Sequence, residues 1–175
     1  VAQQELQKGN TPNLARVLPA SGWQESHSPG SFTYAAHTAF FAGFLPTPAK
    51  PGKHERLFAL HFSGSETTGN NTFVFETADI VSGLTNEGYR TICIGGVGFF
   101  KKQNPLSCQL PGFFQESYCD ESLGVTCRDS TRNQVLLACD LLKNNQLKPV
   151  FMFINISALH QPNYFYLDNP TDKTD

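Results

Sequence analysis

Thr33 and His160 are the side chains best placed in this sequence to do chemistry, and spacing alone gives neither a complete catalytic motif. Thr33 opens the run TYAAHTAFFA. A hydroxyl at a helix start faces unpaired N–H groups and the positive end of the helix dipole, an environment that favours a nearby phosphate. The same position suits an ordinary N-cap, and to attack phosphorus the hydroxyl would need a metal or a neighbouring base. His160 follows the apolar run PVFMFINIS. An imidazole in a short loop after a buried strand reaches an anion or a metal, or simply stands at the surface. The cluster Gly95-Gly96-Val97-Gly98 follows YRTICI and suits a phosphate-cradling turn or a close-packed one. It departs from G-x-G-x-x-G, since Phe99, Phe100 and two lysines stand where a helix should open, so a nucleotide module is the weaker reading. His27, His37, His54 and His61 show no metal-ligand spacing, and the carboxylates form no close pair of the glycosidase kind.

These residues need a scaffold, and the chain offers one domain's worth. Its 175 residues carry 13 Lys+Arg against 15 Asp+Glu, and the charged fraction of 16% lies below the roughly 25% usual for soluble domains. This argues against a nucleic-acid partner. No run reaches the roughly 20 apolar residues of a membrane span, and VAQQELQKGN lacks a signal peptide's apolar stretch. Five cysteines, an odd number with no C-x-x-C, favour reduced thiols in a cytoplasmic protein over one or two disulfides. A first residue Val1 and a polar PTDKTD end suggest a piece of something longer.

Periodicity and turn residues predict helices at Pro12–Leu18, Tyr34–Ala42 with Thr33 as cap, Thr77–Glu87 and Thr131–Asn144. The third lies in the run Phe75–Gly88 and stops at Gly88, a suitable left-handed C-terminal residue. Apolar runs predict strands at Leu57–Ser63, Arg90–Ile94 and Val150–Ile156. Residues 99–129 read as an irregular insertion with short helical turns. The whole is an α/β unit with a mostly parallel sheet covered by helices on both faces. Such sheets bind ligands outside the carboxyl ends of their strands, which singles out Gly95–Gly98 and Ala158–Pro162.

Several segments, in order, resemble the alkaline phosphatase superfamily, which includes sulfatases, nucleotide pyrophosphatase/phosphodiesterases and lipoteichoic acid synthases. Thr11-Pro12-Asn13-Leu14 is similar to the family's T-P-N-L. Thr33-Tyr34-Ala35-Ala36-His37 followed by Gly43-Phe44-Leu45-Pro46 resembles T-F-P-N-H followed by T-G-L-Y-P, with the nucleophile ten residues before the glycine. Glu87-Gly88-Tyr89-Arg90-Thr91 resembles the G-Y-R-T element, and Phe153–Ser157 through His160-Gln161-Pro162 the strand and histidine that contact the substrate anion. The resemblance implies an alkaline-phosphatase-like fold and a metal-dependent hydrolase of phosphate esters or phosphodiesters. It assigns Thr33 as nucleophile, with its hydroxyl also a metal ligand, and His160 and His37 to substrate binding. The implied partner is a small phosphate-containing anion, with no nucleic acid and no membrane.

The cofactor implied for the complete protein is a divalent metal, zinc or manganese. The family's first metal aspartate precedes T-P-N-L and its closing Asp-His pair follows the histidine by many residues; this chain has neither. The expectation is therefore a fragment that alone holds no metal tightly and turns over no substrate. Gly95–Gly98 in place of the sulfatase G-K-W-H, and Thr33 in place of its Cys or Ser, argue against sulfate esters. The alternative is a non-catalytic relative or fragment that binds an anion or a protein partner.

Overall fold

The computed structural model describes residues 2–30, 32–43, 58–64, 73–75, 79–144, 147–162 and 164, with the backbone alone at 58, 59 and 73–75. Its helices are α1 (Ala2–Gln7), α2 (Pro12–Ala15), α3 (Thr33–Ala42), α4 (Ile80–Asn86), α5 (Pro105–Gln109) and α6 (Ser130–Lys143). The strands are β1 (Phe58–Leu60), β2 (Phe73–Phe75), β3 (Arg90–Ile94), β4 (Glu116–Tyr118) and β5 (Val150–Ile154). β1 and β2 form a short parallel pair; the main sheet has the order β4-β3-β5, parallel throughout.

β3 is apolar from Ile92 to Ile94 because it is central and covered on both sides. Ile92, Cys93 and Ile94 are each at most 1% exposed. Successive residues face opposite ways. Cys93, Phe151 and Phe153 pack with Tyr34 and Phe41 of α3 and Val81 of α4, while Ile92, Ile94, Met152 and Ile154 pack with Leu137, Ala138 and Leu141 of α6. Burying each isoleucine contributes about 1.5–3 kcal/mol, so this sandwich is the main source of order for the loops at the strand ends. The mixed helix and parallel-strand architecture is the coarse α/β character the sequence predicts.

The boundaries differ for local reasons. α2 stops at Ala15 rather than Leu18, with Thr11 before it making no side-chain cap bond. α3 begins one residue earlier than predicted, so Thr33 is the first helical residue and not the cap; Phe32 holds the cap position, and no side chain caps the helix. α4 starts at Ile80 because Asp79 caps it, its Oδ1 accepting from the Ser82 N–H at 2.7 Å. Phe75, at the head of the run Phe75–Gly88 and two residues before the predicted helix start, belongs to β2, whereas Gly88 has the expected left-handed φ of 85°. Thr77, Leu57, His54 and 44–46 lie outside the described residues. Segment 99–129 contains the expected short helical turns, together with α5 and the polar strand β4, which pairs with the central strand.

Among the described residues no helix is long and apolar enough to cross a membrane. Cys93, Cys108, Cys119 and Cys139 are free thiols, and burial pushes the Cys93 thiol up to about 12.

Candidate functional site

α3 crosses the sheet near the carboxyl end of β5, and four-residue spacing puts Thr33 and His37 on one face of the helix. The short turn Ser157–Leu159 after β5 delivers His160. Together with Val97, Phe153 and Asn155, these side chains line one cleft of about 340 Å³. Thr33 and His37 thus share a cavity with His160, more than a hundred residues later in the sequence, at the strand end where parallel sheets hold ligands.

The two imidazoles are fixed by backbone carbonyls. His37 Nδ1 lies 2.7 Å from the Thr33 carbonyl oxygen, and His160 Nδ1 bonds the Gln161 carbonyl oxygen. A carbonyl only accepts, so Nδ1 carries the proton on both rings and Nε2 of the neutral form is a lone-pair site. His37 stands edge-to-face with Phe40, Phe100 and Phe153, at centroid distances of 5.5, 5.9 and 5.3 Å. Burial among these rings pushes its pKa down; the bond to the Thr33 carbonyl opposes this without reversing it. His37 is therefore held neutral. Thr33 is half-buried and His160 exposed.

Sequence reasoning missed the polar staple behind this cleft. Gln134 of α6 is fully buried; its Nε2 donates to the Asn155 carbonyl at 2.7 Å and to the Gly95 carbonyl at 3.4 Å, and its Oε1 accepts from the Ser157 N–H at 3.5 Å. One amide thereby ties the end of β3 to the loop carrying His160. The signal was a core-facing row at four-residue spacing, Ser130, Gln134 and Ala138, with a polar residue in its middle. Asn155 Oδ1 is buried in the cleft wall with no hydrogen-bond partner, the kind of atom that a ligand or water normally satisfies.

The glycines serve packing. A Cβ on Gly95 would collide with the Phe100 Cβ, and one on Gly96 would stand 2.6 Å from the Ser157 Cβ and 2.8 Å from the Asn155 carbonyl oxygen. These two close contacts give the close-packed reading of the cluster its physical basis.

A larger cleft of about 530 Å³ lies at the opposite, amino end of the sheet, lined by Tyr89, Arg90, Glu116 and Lys148 among others. Arg90 donates to both Glu116 oxygens at 2.6 and 2.9 Å and to the Leu141 carbonyl, and the Tyr118 hydroxyl donates to Glu116 at 2.8 Å. These bonds hold the Glu116 carboxyl below its ordinary range and raise the Arg90 and Tyr118 pKa values, Arg90 mainly through Glu116 and Tyr118 through the same carboxylate.

In comparisons with protein-family models, with curated proteins and with solved structures, nothing matches this chain.

Proposed function

We propose that the carboxyl-end cleft binds a phosphate ester or phosphodiester and that the protein is a phosphoester hydrolase in which the Thr33 hydroxyl attacks phosphorus. The observation that carries this reading is the meeting of Thr33, His37 and His160 around one cleft. Asn155 Oδ1, without a partner, supports a ligand there, and the resemblance to the alkaline phosphatase superfamily independently nominates the same three residues.

In this reading the Thr33 oxygen forms a bond to phosphorus as the ester oxygen leaves, and His37, neutral with an unprotonated Nε2, takes the hydroxyl proton. His160, when protonated at Nε2 as well, donates to a nonbridging oxygen. The leaving alcohol recovers the proton that His37 took, and water then hydrolyses the phosphothreonine. Zinc or manganese is the cofactor the resemblance implies. Among the described residues no three His, Cys, Asp or Glu side chains gather as a metal cage, and the cleft wall carries two imidazoles and no carboxylate, so the residues present do not make that site. No step is assigned to a metal.

A second reading, anion binding without turnover, is favoured by the same lack of a carboxylate in the wall. Free thiols at Cys93, Cys108, Cys119 and Cys139 support a cytoplasmic setting.

Thr33→Ala and Thr33→Ser separate the two readings. Because Thr33 makes no cap bond, alanine should leave the melting temperature nearly unchanged. Hydrolysis of p-nitrophenyl phosphate and bis(p-nitrophenyl) phosphate, measured with zinc or manganese supplied, should fall by about a thousandfold or more in alanine and survive in serine. A quenched reaction should show a phosphate adduct on Thr33 by mass spectrometry. Equal turnover in wild type and Thr33→Ala would overturn the nucleophile, and phosphate binding without any turnover would establish the second reading.

A further inference from the structure

Beside the candidate cleft runs a second groove of about 400 Å³, and Val97 and His160 belong to both. The two spaces adjoin at these side chains. The groove's other walls are Gly98, Phe99 and Leu106, with Asn104 and Ser107 at the start of α5. Its polar atoms are largely engaged: Asn104 Oδ1 accepts from the Ser107 N–H, and Ser107 Oγ accepts from the Gln103 and Asn104 N–H groups. Among the described residues no Asp, Glu, Lys or Arg lines it. Phe99 is held in place by stacking on Tyr34 at a centroid distance of 5.7 Å, and Leu106 packs against the core.

We infer that the groove receives the organic group of the substrate, and that this group is apolar, an aryl or branched alkyl substituent next to the anion. The inference rests on the proposed phosphate-ester reading of the adjoining cleft. A sugar or a polyphosphate would bring hydroxyls or charges into a groove with few groups to bond them, and leaving these unpaired costs binding. An aromatic ring gains from burial against Val97, Phe99 and Leu106. His160, lining both spaces, then stands between the anion and its substituent.

Gly98 provides the test because it lines the groove and a Cβ there meets nothing within 4 Å, so a larger side chain can be added at the groove's edge without its Cβ colliding with the fold. Binding of methylphosphonate and phenylphosphonate, neither of which is an ester that can turn over, is measured by calorimetry on wild type and Gly98→Leu. Wild type should bind phenylphosphonate about tenfold or more tightly than methylphosphonate, the gain expected from burying much of one ring. Gly98→Leu should lose that preference, bind methylphosphonate as wild type does, and melt at the same temperature. Equal affinity of wild type for the two probes, or a preference that persists in Gly98→Leu, overturns the groove and leaves the anion cleft standing. Failure of both probes to bind overturns the anion cleft and the groove together.

Discussion

At the amino end of the β4-β3-β5 sheet the charged side chains already bond one another, whereas at the carboxyl end the polar groups point at a shared space with their bonding unfinished. Arg90, Glu116 and Tyr118 form a closed network in the larger cleft. Among the described residues the smaller cleft has no ion pair; it has the neutral imidazole of His37, the imidazole of His160, a hydroxyl and an amide oxygen without a partner. Charge and size favour the first as a binding site. Free chemical capacity favours the second, because a charge whose hydrogen bonds are made has little left to offer a ligand.

The sharpest contrast between the two ends comes from their glycines. Gly96→Ala forces a methyl against the Ser157 Cβ, the Asn155 carbonyl oxygen and Gln134, two of them rigidly held, and should cost about 3 kcal/mol or more. Gly88→Ala meets open space and bears only the strain of a φ of 85°, about 1–2 kcal/mol. Urea denaturation of both variants measures the difference. A Gly96→Ala protein as stable as Gly88→Ala would mean that the carboxyl end is not the tightly fitted one.

A smaller effect tests whether the unfinished bonding matters. Nε2 of a neutral imidazole cannot donate to an anion, so anion binding must draw a proton onto the cleft. Sulfate keeps its charge between pH 7.5 and 5.5, and its affinity should rise severalfold as pH falls, with part of that rise lost in His37→Gln. In the free protein the sign is opposite. The lowered pKa of His37 means that the unfolded chain binds its proton more readily, so stability declines as pH falls from about 6.5 toward the folded value. A sulfate affinity independent of pH would place the anion elsewhere.

The smallest effect belongs to the amino end. Glu116 has a lowered pKa, so its contribution is present above the unfolded carboxylate value and disappears as pH drops through the folded one. With both partners of the pair partly exposed, Glu116→Gln should cost no more than about 1 kcal/mol at pH 7 and nothing measurable near pH 2. Sulfate affinity should not change; a large change would couple ends that the comparison treats as independent.

The same contrast explains what was legible in the sequence. β3 and β5 showed as apolar runs because β3 is largely buried and the half-buried β5 packs its apolar side chains against both cores, and α6 showed because its apolar stripe faces the sheet. β4, Glu-Ser-Tyr, carried no such pattern: an edge strand of three residues is defined by backbone bonds to β3 and by the Arg90–Glu116 pair, neither of which has a local period. Thr33 and His160 were found because helix starts and strand ends are visible in sequence. The neutral state of His37 was not, since it depends on Phe100 and Phe153 arriving from distant elements. Gln134 lay hidden because one buried amide looks like any other polar residue in an amphipathic helix until its carbonyl partners are in place.

The buried thiol at the centre of the sheet doubles as a clock. Cys93 is 1% exposed with a pKa pushed up to about 12, whereas Cys108 and Cys139 are open to solvent. An alkylating reagent should modify those two at once and reach Cys93 only in molecules whose sheet has parted. Each tenfold delay at Cys93 relative to an exposed thiol then corresponds to about 1.4 kcal/mol of opening free energy, provided reclosing outpaces alkylation. A ligand that secures the carboxyl end would slow this one reaction and leave the exposed thiols at their original rate, so the occupancy of a site without a chromophore becomes readable from the mass of a single tryptic peptide.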